Sequence, residues 1–100
     1  MKLVISDLPA LATPAWVVVM LTGDGHPVLS SAVVWESLEL AEEHKRRLEA
    51  WPEGLRLDTA GRHQFHCQYC GDRSEGSSAR QAAAAVTEHE KVCVKREGKQ

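Results

Sequence analysis

The sequence predicts an α+β fold, in which a small ββαβ layer over residues 1–60 precedes a second module over residues 61–100. In the first part, strand-like runs precede a helix-like segment and a short alternating one, whereas the second part has a polar loop and then one long helical pattern. A chain of 100 residues is too short for two ordinary hydrophobic cores. We therefore expect one of the two parts to need additional stabilisation.

Two strands near the N-terminus are expected to form an antiparallel hairpin. The runs WVVVML, residues 16–21, and VLSSAVVW, residues 28–35, are rich in β-branched and aromatic side chains. The segment TGDGHP between them contains two glycines, an aspartate and a proline, which allow a positive φ or favour a turn. The chain should therefore reverse direction between the two strands.

A helix is predicted over residues 38–51, because Ser37 is a suitable N-cap and the charges follow the helix dipole. Residues at helical spacing form the face that should cover the hairpin: Ala41, His44, Leu48 and Trp51. Opposite charges at i,i+4 are expected on another face: Glu42 with Arg46 and Glu43 with Arg47. Pro52 and Gly54 end the helix, and the alternating LRLD, residues 55–58, is predicted as a strand.

A second helix is predicted over residues 79–95. Ser78 stands three residues before Gln81, which is the spacing of a capping box. One stripe of this helix consists of Ala82, Val86, His89 and Cys93, at intervals of four, three and four. A histidine and a cysteine therefore lie one helical turn apart on the same face.

Four residues have the spacing of a metal site, in the pattern Cys67-x2-Cys70-x18-His89-x3-Cys93. A close cysteine pair on a turn and an i,i+4 pair on a helix can converge on one ion. Thiolates and imidazole suit zinc better than magnesium or calcium. Four protein ligands close the coordination sphere of zinc, so we expect one structural zinc ion with no open position for a substrate.

This pattern resembles the C2H2-type zinc finger in its C2HC form, over residues 63–96. Phe65 matches the leading aromatic residue of that family, and Val86 matches its buried apolar position. The resemblance implies a ββα finger with these two residues in its core. Two departures are evident: 18 residues instead of about twelve separate Cys70 from His89, and no second aromatic residue follows Cys70. The small core should therefore be filled by the alanines or by the N-terminal layer.

Other interpretations of the CQYC segment are weaker. A thioredoxin-like redox pair should stand at the start of a helix, whereas Gly71 and a polar loop follow here. His63 and His66 are close enough in sequence to replace a zinc ligand, but His66 adjoins Cys67 and would point away from it on a strand. We therefore expect both histidines at the surface or beside the ligands. His26 and His44, in the first part, are interpreted as surface or packed histidines.

Composition limits the location and the partners of the protein. The apolar run over residues 8–21 is shorter than the roughly 20 residues that span a bilayer, and Asp7 does not suit a signal peptide. An intracellular, cytoplasmic protein is expected, in which three cysteines are ligands or core residues. Residues 1–60 carry five basic and nine acidic side chains, and residues 61–100 carry seven and five. Neither balance is strongly basic, as a phosphate-binding domain would be.

The sequence favours a regulatory or adaptor protein over an enzyme, because no catalytic pattern and no small-molecule site is evident. A protein partner is the preferred hypothesis, and nucleic-acid binding, as in a transcription regulator, is the alternative. Alignment with DNA-reading fingers places Ala82, Ala85 and Glu88 at the base-contacting positions, where alanine makes no bidentate contacts. The tail KREGKQ, residues 95–100, is basic and is compatible with nucleic acid or with a solubilising end.

Overall fold

A computed structural model describes residues 2–9 and 13–94 of the chain, and these form three helices and two antiparallel sheets. The elements in chain order are β1 (Lys2–Asp7), β2 (Trp16–Leu21), β3 (Pro27–Ser30), α1 (Leu38–Ala50), α2 (Gly54–Thr59), β4 (Gln64–His66), β5 (Arg73–Glu75) and α3 (Ala79–Val92). The first sheet has the order β1-β2-β3, and the second pairs β4 with β5. The predicted α+β class is therefore confirmed.

The first sheet contains the predicted hairpin and one strand that the sequence did not indicate. β2 and β3 pair antiparallel with Val19 opposite Ser30, and the turn between them includes Gly25 at φ +88°. β1 pairs along the whole of β2, from Lys2 opposite Leu21 to Asp7 opposite Trp16. A short apolar run without a turn residue before it is not a clear strand signal. β1 is a strand because it pairs with β2.

The predicted strand over residues 28–35 is too long. β3 ends at Ser30, and the chain rejoins the sheet only at Trp35, which forms an isolated antiparallel bridge with Trp16. Between these points the hydroxyl of Ser31 accepts a hydrogen bond from the backbone N–H of Val33, at 3.0 Å. Such a local side-chain bond offers the backbone an alternative to the sheet ladder, so regular pairing stops.

Helix α1 agrees with its predicted bounds to within one residue, but two predicted side-chain placements differ. Leu48 and His44 are buried as expected, whereas Trp51 is about 40% exposed beyond the end of the helix. Arg47 is buried and forms an ion pair with Glu90 of α3, so the predicted pair with Glu43 is wrong. The sequence cannot reveal a partner that lies 43 residues away in the chain.

The predicted strand over residues 55–58 is wrong, because LRLD lies in helix α2. The chain turns at once after Pro52, with the N–H of Leu55 bonded to the carbonyl of Pro52 and that of Leu57 bonded to Glu53. Leu55 and Asp58, three residues apart, are the buried side chains of α2. Alternation over only four residues does not distinguish this helical spacing from that of a strand.

The largest apolar cluster draws side chains from both parts of the chain. Its buried members are Val33, Trp35, Ala41, Phe65, Cys67, Ala82, Ala83 and Val86. A smaller cluster of Val18, Leu48 and Leu55 lies between the first sheet and helices α1 and α2. The alanines of α3 and side chains of the N-terminal layer thus fill the core around Phe65. This was expected, because no second aromatic residue follows Cys70. The boundary between residues 60 and 61 stays a prediction.

Candidate metal centre

The first half of the candidate site is the tight turn between β4 and β5. The backbone N–H of Cys67 donates to the carbonyl of Asp72 at 2.8 Å, and the N–H of Gly71 donates back to the carbonyl of Cys67 at 2.9 Å. Gly71 has φ +82°, a left-handed conformation that glycine adopts without a steric penalty. This geometry places Cys67 and Cys70 on the same turn.

The second half of the site is the C-terminal end of α3. The hydroxyl of Ser78 accepts a hydrogen bond from the N–H of Gln81 at 3.2 Å, which caps the helix as predicted. The helix continues to Val92, and Cys93 is its C-terminal cap residue. His89 and Cys93 are therefore presented from one end of α3. The predicted end at residue 95 is wrong, because the backbone of Cys93 is already extended, at φ −68° and ψ 125°.

The four predicted ligands come together in the structure. The Sγ atoms of the three cysteines and a ring nitrogen of His89 all lie within 4.8 Å of one another. Cys67 Sγ is 3.7 Å from Cys93 Sγ, and Cys70 Sγ is 3.2 Å from His89 Nε2. Ligands at 2.0–2.3 Å from a tetrahedral zinc ion are separated by roughly 3.3–3.8 Å. The Cys67–Cys93 distance lies in this range and the Cys70–His89 distance lies just below it. The donor types and their clustering are therefore compatible with a Cys3His metal site.

The thiols of the site interact with one another and with the backbone of the turn. The N–H of Tyr69 donates to Cys67 Sγ at 3.4 Å. The N–H of Asp72 lowers the pKa of Cys70, but burial, hydrogen bonds with Cys93 and Cys67, and the charge of Cys67 outweigh it and raise this pKa to about 12. A cation that binds Cys70 as a thiolate must therefore displace a proton.

Phe65 and Val86, the predicted core residues of the finger, are both buried beside the ligands. Phe65 is 4% exposed, and its ring centroid lies 5.0 Å from that of His44 and 6.0 Å from that of Trp35. Val86 is fully buried in the same cluster. The ββα unit of β4, β5 and α3 thus packs on α1 through aromatic rings from both parts of the chain.

His63 and His66 do not belong to the group of four ligand residues. The ring of His66 stacks on Trp51, with centroids 4.5 Å apart and an interplanar angle of 17°. Burial, followed by the positive charge of Arg73, lowers the pKa of His66. His63 is exposed. His66 is therefore packed on Trp51 of the N-terminal layer, and His63 lies at the surface.

A buried carboxylate also touches the site, and the sequence did not indicate it. Glu90 Oε2 accepts a hydrogen bond at 3.1 Å from the backbone N–H of Gln68, which lies between the two cysteines of the turn. The guanidinium of Arg47 binds both oxygens of Glu90. Burial raises the pKa of Glu90, but the hydrogen bonds from Arg47 and Gln68 outweigh it and hold this pKa below its ordinary value.

A second polar cluster, also missed in the sequence, is formed by Ser31, His44 and Asp58 in the first part of the chain. His44 Nε2 is 2.9 Å from Asp58 Oδ2 and 3.2 Å from Ser31 Oγ, and Ser31 Oγ also donates to Asp58. All three residues are buried. In a hydrolase triad the hydroxyl and the carboxylate contact opposite nitrogens of the histidine. Here they contact the same nitrogen, so the arrangement differs from that of a triad.

The fold and the site together define a small α+β protein with a Cys3His cluster that could hold a metal ion. No protein-family model, curated protein or solved structure matches this chain. The similarity to the C2HC finger therefore rests on the ligand spacing and on the observed geometry. Among the described residues, no helix is sufficiently long and apolar to cross a membrane.

Proposed function

We propose that the chain is a small zinc-binding regulatory or adaptor protein, whose C2HC module holds one structural zinc ion and supports protein–protein interaction. The observation that carries this proposal is the convergence of Cys67, Cys70, His89 and Cys93 within 4.8 Å. Three thiolates and one imidazole favour zinc over magnesium or calcium. Four protein ligands leave no position for a substrate, so the ion would hold the β4–β5 turn against the end of α3.

Exposed apolar side chains on the ligand-bearing segments support a protein partner. Val92 and Val94 flank the last ligand and are 77% and 79% exposed, and Tyr69 lies between the two cysteines of the turn. A bound zinc ion would fix both segments relative to each other. Rigid exposed apolar and aromatic side chains are suited to contact an apolar surface of another protein.

The nucleic-acid alternative has less support from α3. Ala82, at the first predicted base-contacting position, is fully buried in the shared core. Glu88, at the third, is exposed but pairs with Lys91 at 2.8 Å, and its charge would repel phosphate. The basic tail over residues 95–100 lies outside the described part of the chain. The alternative therefore depends on that tail.

The zinc site is tested by metal content and by cobalt substitution. We expect one zinc ion per chain in protein that is purified in a reducing buffer, and a tetrahedral Co²⁺ spectrum with thiolate charge-transfer bands. Cys93→Ser should abolish stoichiometric binding, whereas His63→Ala should leave it unchanged, because His63 does not belong to the ligand group. A stably folded protein that binds neither metal would refute the zinc proposal.

Partner binding is tested by affinity capture with matched variants. Captured proteins should be lost with Val92→Ser combined with Val94→Ser, and on chelation of zinc. The control combines Val28→Ser with Val34→Ser, two other exposed valines that do not lie on the ligand-bearing segments. Equal capture by both double variants would contradict the proposed surface. Random duplex DNA that binds at about 50 mM salt and dissociates by about 200 mM would instead support the nucleic-acid alternative.

A further inference from the structure

A buried ion pair joins α1 to α3 next to the candidate metal site. Arg47 and Glu90 are 3% and 7% exposed. Arg47 Nε donates to Glu90 Oε2 at 3.0 Å, and Nη2 donates to Oε1 at 2.8 Å, which is a bidentate arrangement. Nη2 also donates to Thr87 Oγ1 at 3.0 Å. The planar guanidinium thus holds the carboxylate in one orientation.

The same carboxylate contacts the turn that carries the first two ligands. Glu90 Oε2 accepts from the backbone N–H of Gln68 at 3.1 Å, and Oε1 accepts from the Gln68 side-chain amide at 3.3 Å. Gln68 follows Cys67, and Glu90 follows His89. One carboxylate therefore connects the two ligand-bearing segments through bonds that involve no ligand atom.

We propose that Glu90 is a positioning residue for the metal site, and that Arg47 orients its carboxylate. This inference rests on the proposed metal binding. Because Glu90 holds the β4–β5 turn against α3, part of the entropy cost of bringing the four ligands together is met before the ion binds. Since Arg47 belongs to α1, the N-terminal layer contributes directly to metal affinity.

The test compares the zinc affinity of Glu90→Gln with that of Glu88→Gln in the full chain. Both substitutions lie on α3 and remove one negative charge, but Glu88 is exposed and pairs only with Lys91 among the described contacts. Competition with a chromophoric chelator should show a loss of about 10- to 100-fold for Glu90→Gln and less than about twofold for Glu88→Gln. The tetrahedral Co²⁺ bands should persist in Glu90→Gln, because all four ligands remain.

A double-mutant cycle provides the second measurement. Arg47→Met leaves the charge of Glu90 buried without its partner, so this variant should bind zinc more weakly. The double variant, which also carries Glu90→Gln, should lose less zinc affinity than the two single losses combined. If Glu90→Gln does not fold without zinc, Arg47→Lys retains the charge, loses the bidentate contact and should also weaken binding.

The outcomes separate the two proposals. A wild-type protein that binds no zinc refutes the proposed function itself. A wild-type protein that binds zinc, with Glu90→Gln equal in affinity to Glu88→Gln, overturns only the positioning role. If Glu90→Gln lowers the free energy of unfolding equally with and without zinc, its zinc affinity is the same as that of the wild type. That result would also contradict the positioning role.

Discussion

Substitution of Phe65 by alanine should destabilise both parts of the chain. Phe65 is 4% exposed and packs against the rings of His44 and Trp35, at 5.0 and 6.0 Å between centroids. Removal of a buried phenylalanine costs about 3–5 kcal/mol, because apolar burial is lost and a cavity remains. A domain of this size has a total stability of only about 5–15 kcal/mol. Phe65→Ala should therefore remove a large fraction of the free energy of unfolding.

Tryptophan fluorescence in urea tests this prediction, because the three tryptophans, Trp16, Trp35 and Trp51, all precede residue 61. With a slope of about 1–3 kcal/mol/M, a loss of at least 3 kcal/mol lowers the urea midpoint by about 1 M or more. Val28→Ala, at a side chain 56% exposed, should stay within about 0.5 kcal/mol of wild type. An unchanged tryptophan midpoint in Phe65→Ala, at saturating zinc, would show that the two parts unfold separately and would refute the shared core.

Three further predictions concern the caps, a glycine and the thiols. Ser78→Ala should lower the free energy of unfolding in urea by about 0.5–2 kcal/mol, because it removes the bond to Gln81. Ser37→Ala should lower it less, since Ser37 makes no side-chain capping bond. Equal losses in the two variants would contradict this prediction. Gly76→Ala should lower the free energy of unfolding by about 1–3 kcal/mol, because the added Cβ would lie 2.5 Å from a backbone nitrogen of α3. Gly23→Ala is the control, since a Cβ at that position meets no atom within 4 Å. Zinc affinity should rise at least about tenfold for each pH unit between pH 6 and 8. The pKa of the Cys70 thiol is raised to about 12, so this thiol must lose its proton when zinc binds. A zinc affinity that does not change with pH in chelator competition would contradict this prediction.

The candidate site was largely predictable because its information is local. Cys67 and Cys70 lie three residues apart, and the periodicity of α3 places His89 and Cys93 on one face. A capping residue and an apolar stripe then predict the helix that presents them. Each of these signals depends on neighbours within about one helical turn, so it can be read without knowledge of the fold.

The surroundings of the site depend on long-range contacts that leave no local signal. The bond from Arg47 to Glu90 spans 43 residues, and the one from His44 to Asp58 joins α1 to a segment predicted as a strand. A buried polar side chain takes the partner that the packing brings to it, because an unpaired charge in the core would be costly. The i,i+4 rule was therefore misleading for Arg47, which had Glu43 at the expected spacing.

The residues alone determined the α+β class, the two long helices, the hairpin and the four candidate ligands. Strand β1, the helical state of LRLD and the ion pair of Arg47 followed from tertiary contacts. The physical reason is the range of the interactions: capping, turn preference and ligand spacing act within a few residues, whereas strand pairing and core packing depend on segments distant in the chain. The resulting core, with Phe65 between α1 and α3, joins the module that carries the Cys3His cluster to the layer that precedes it.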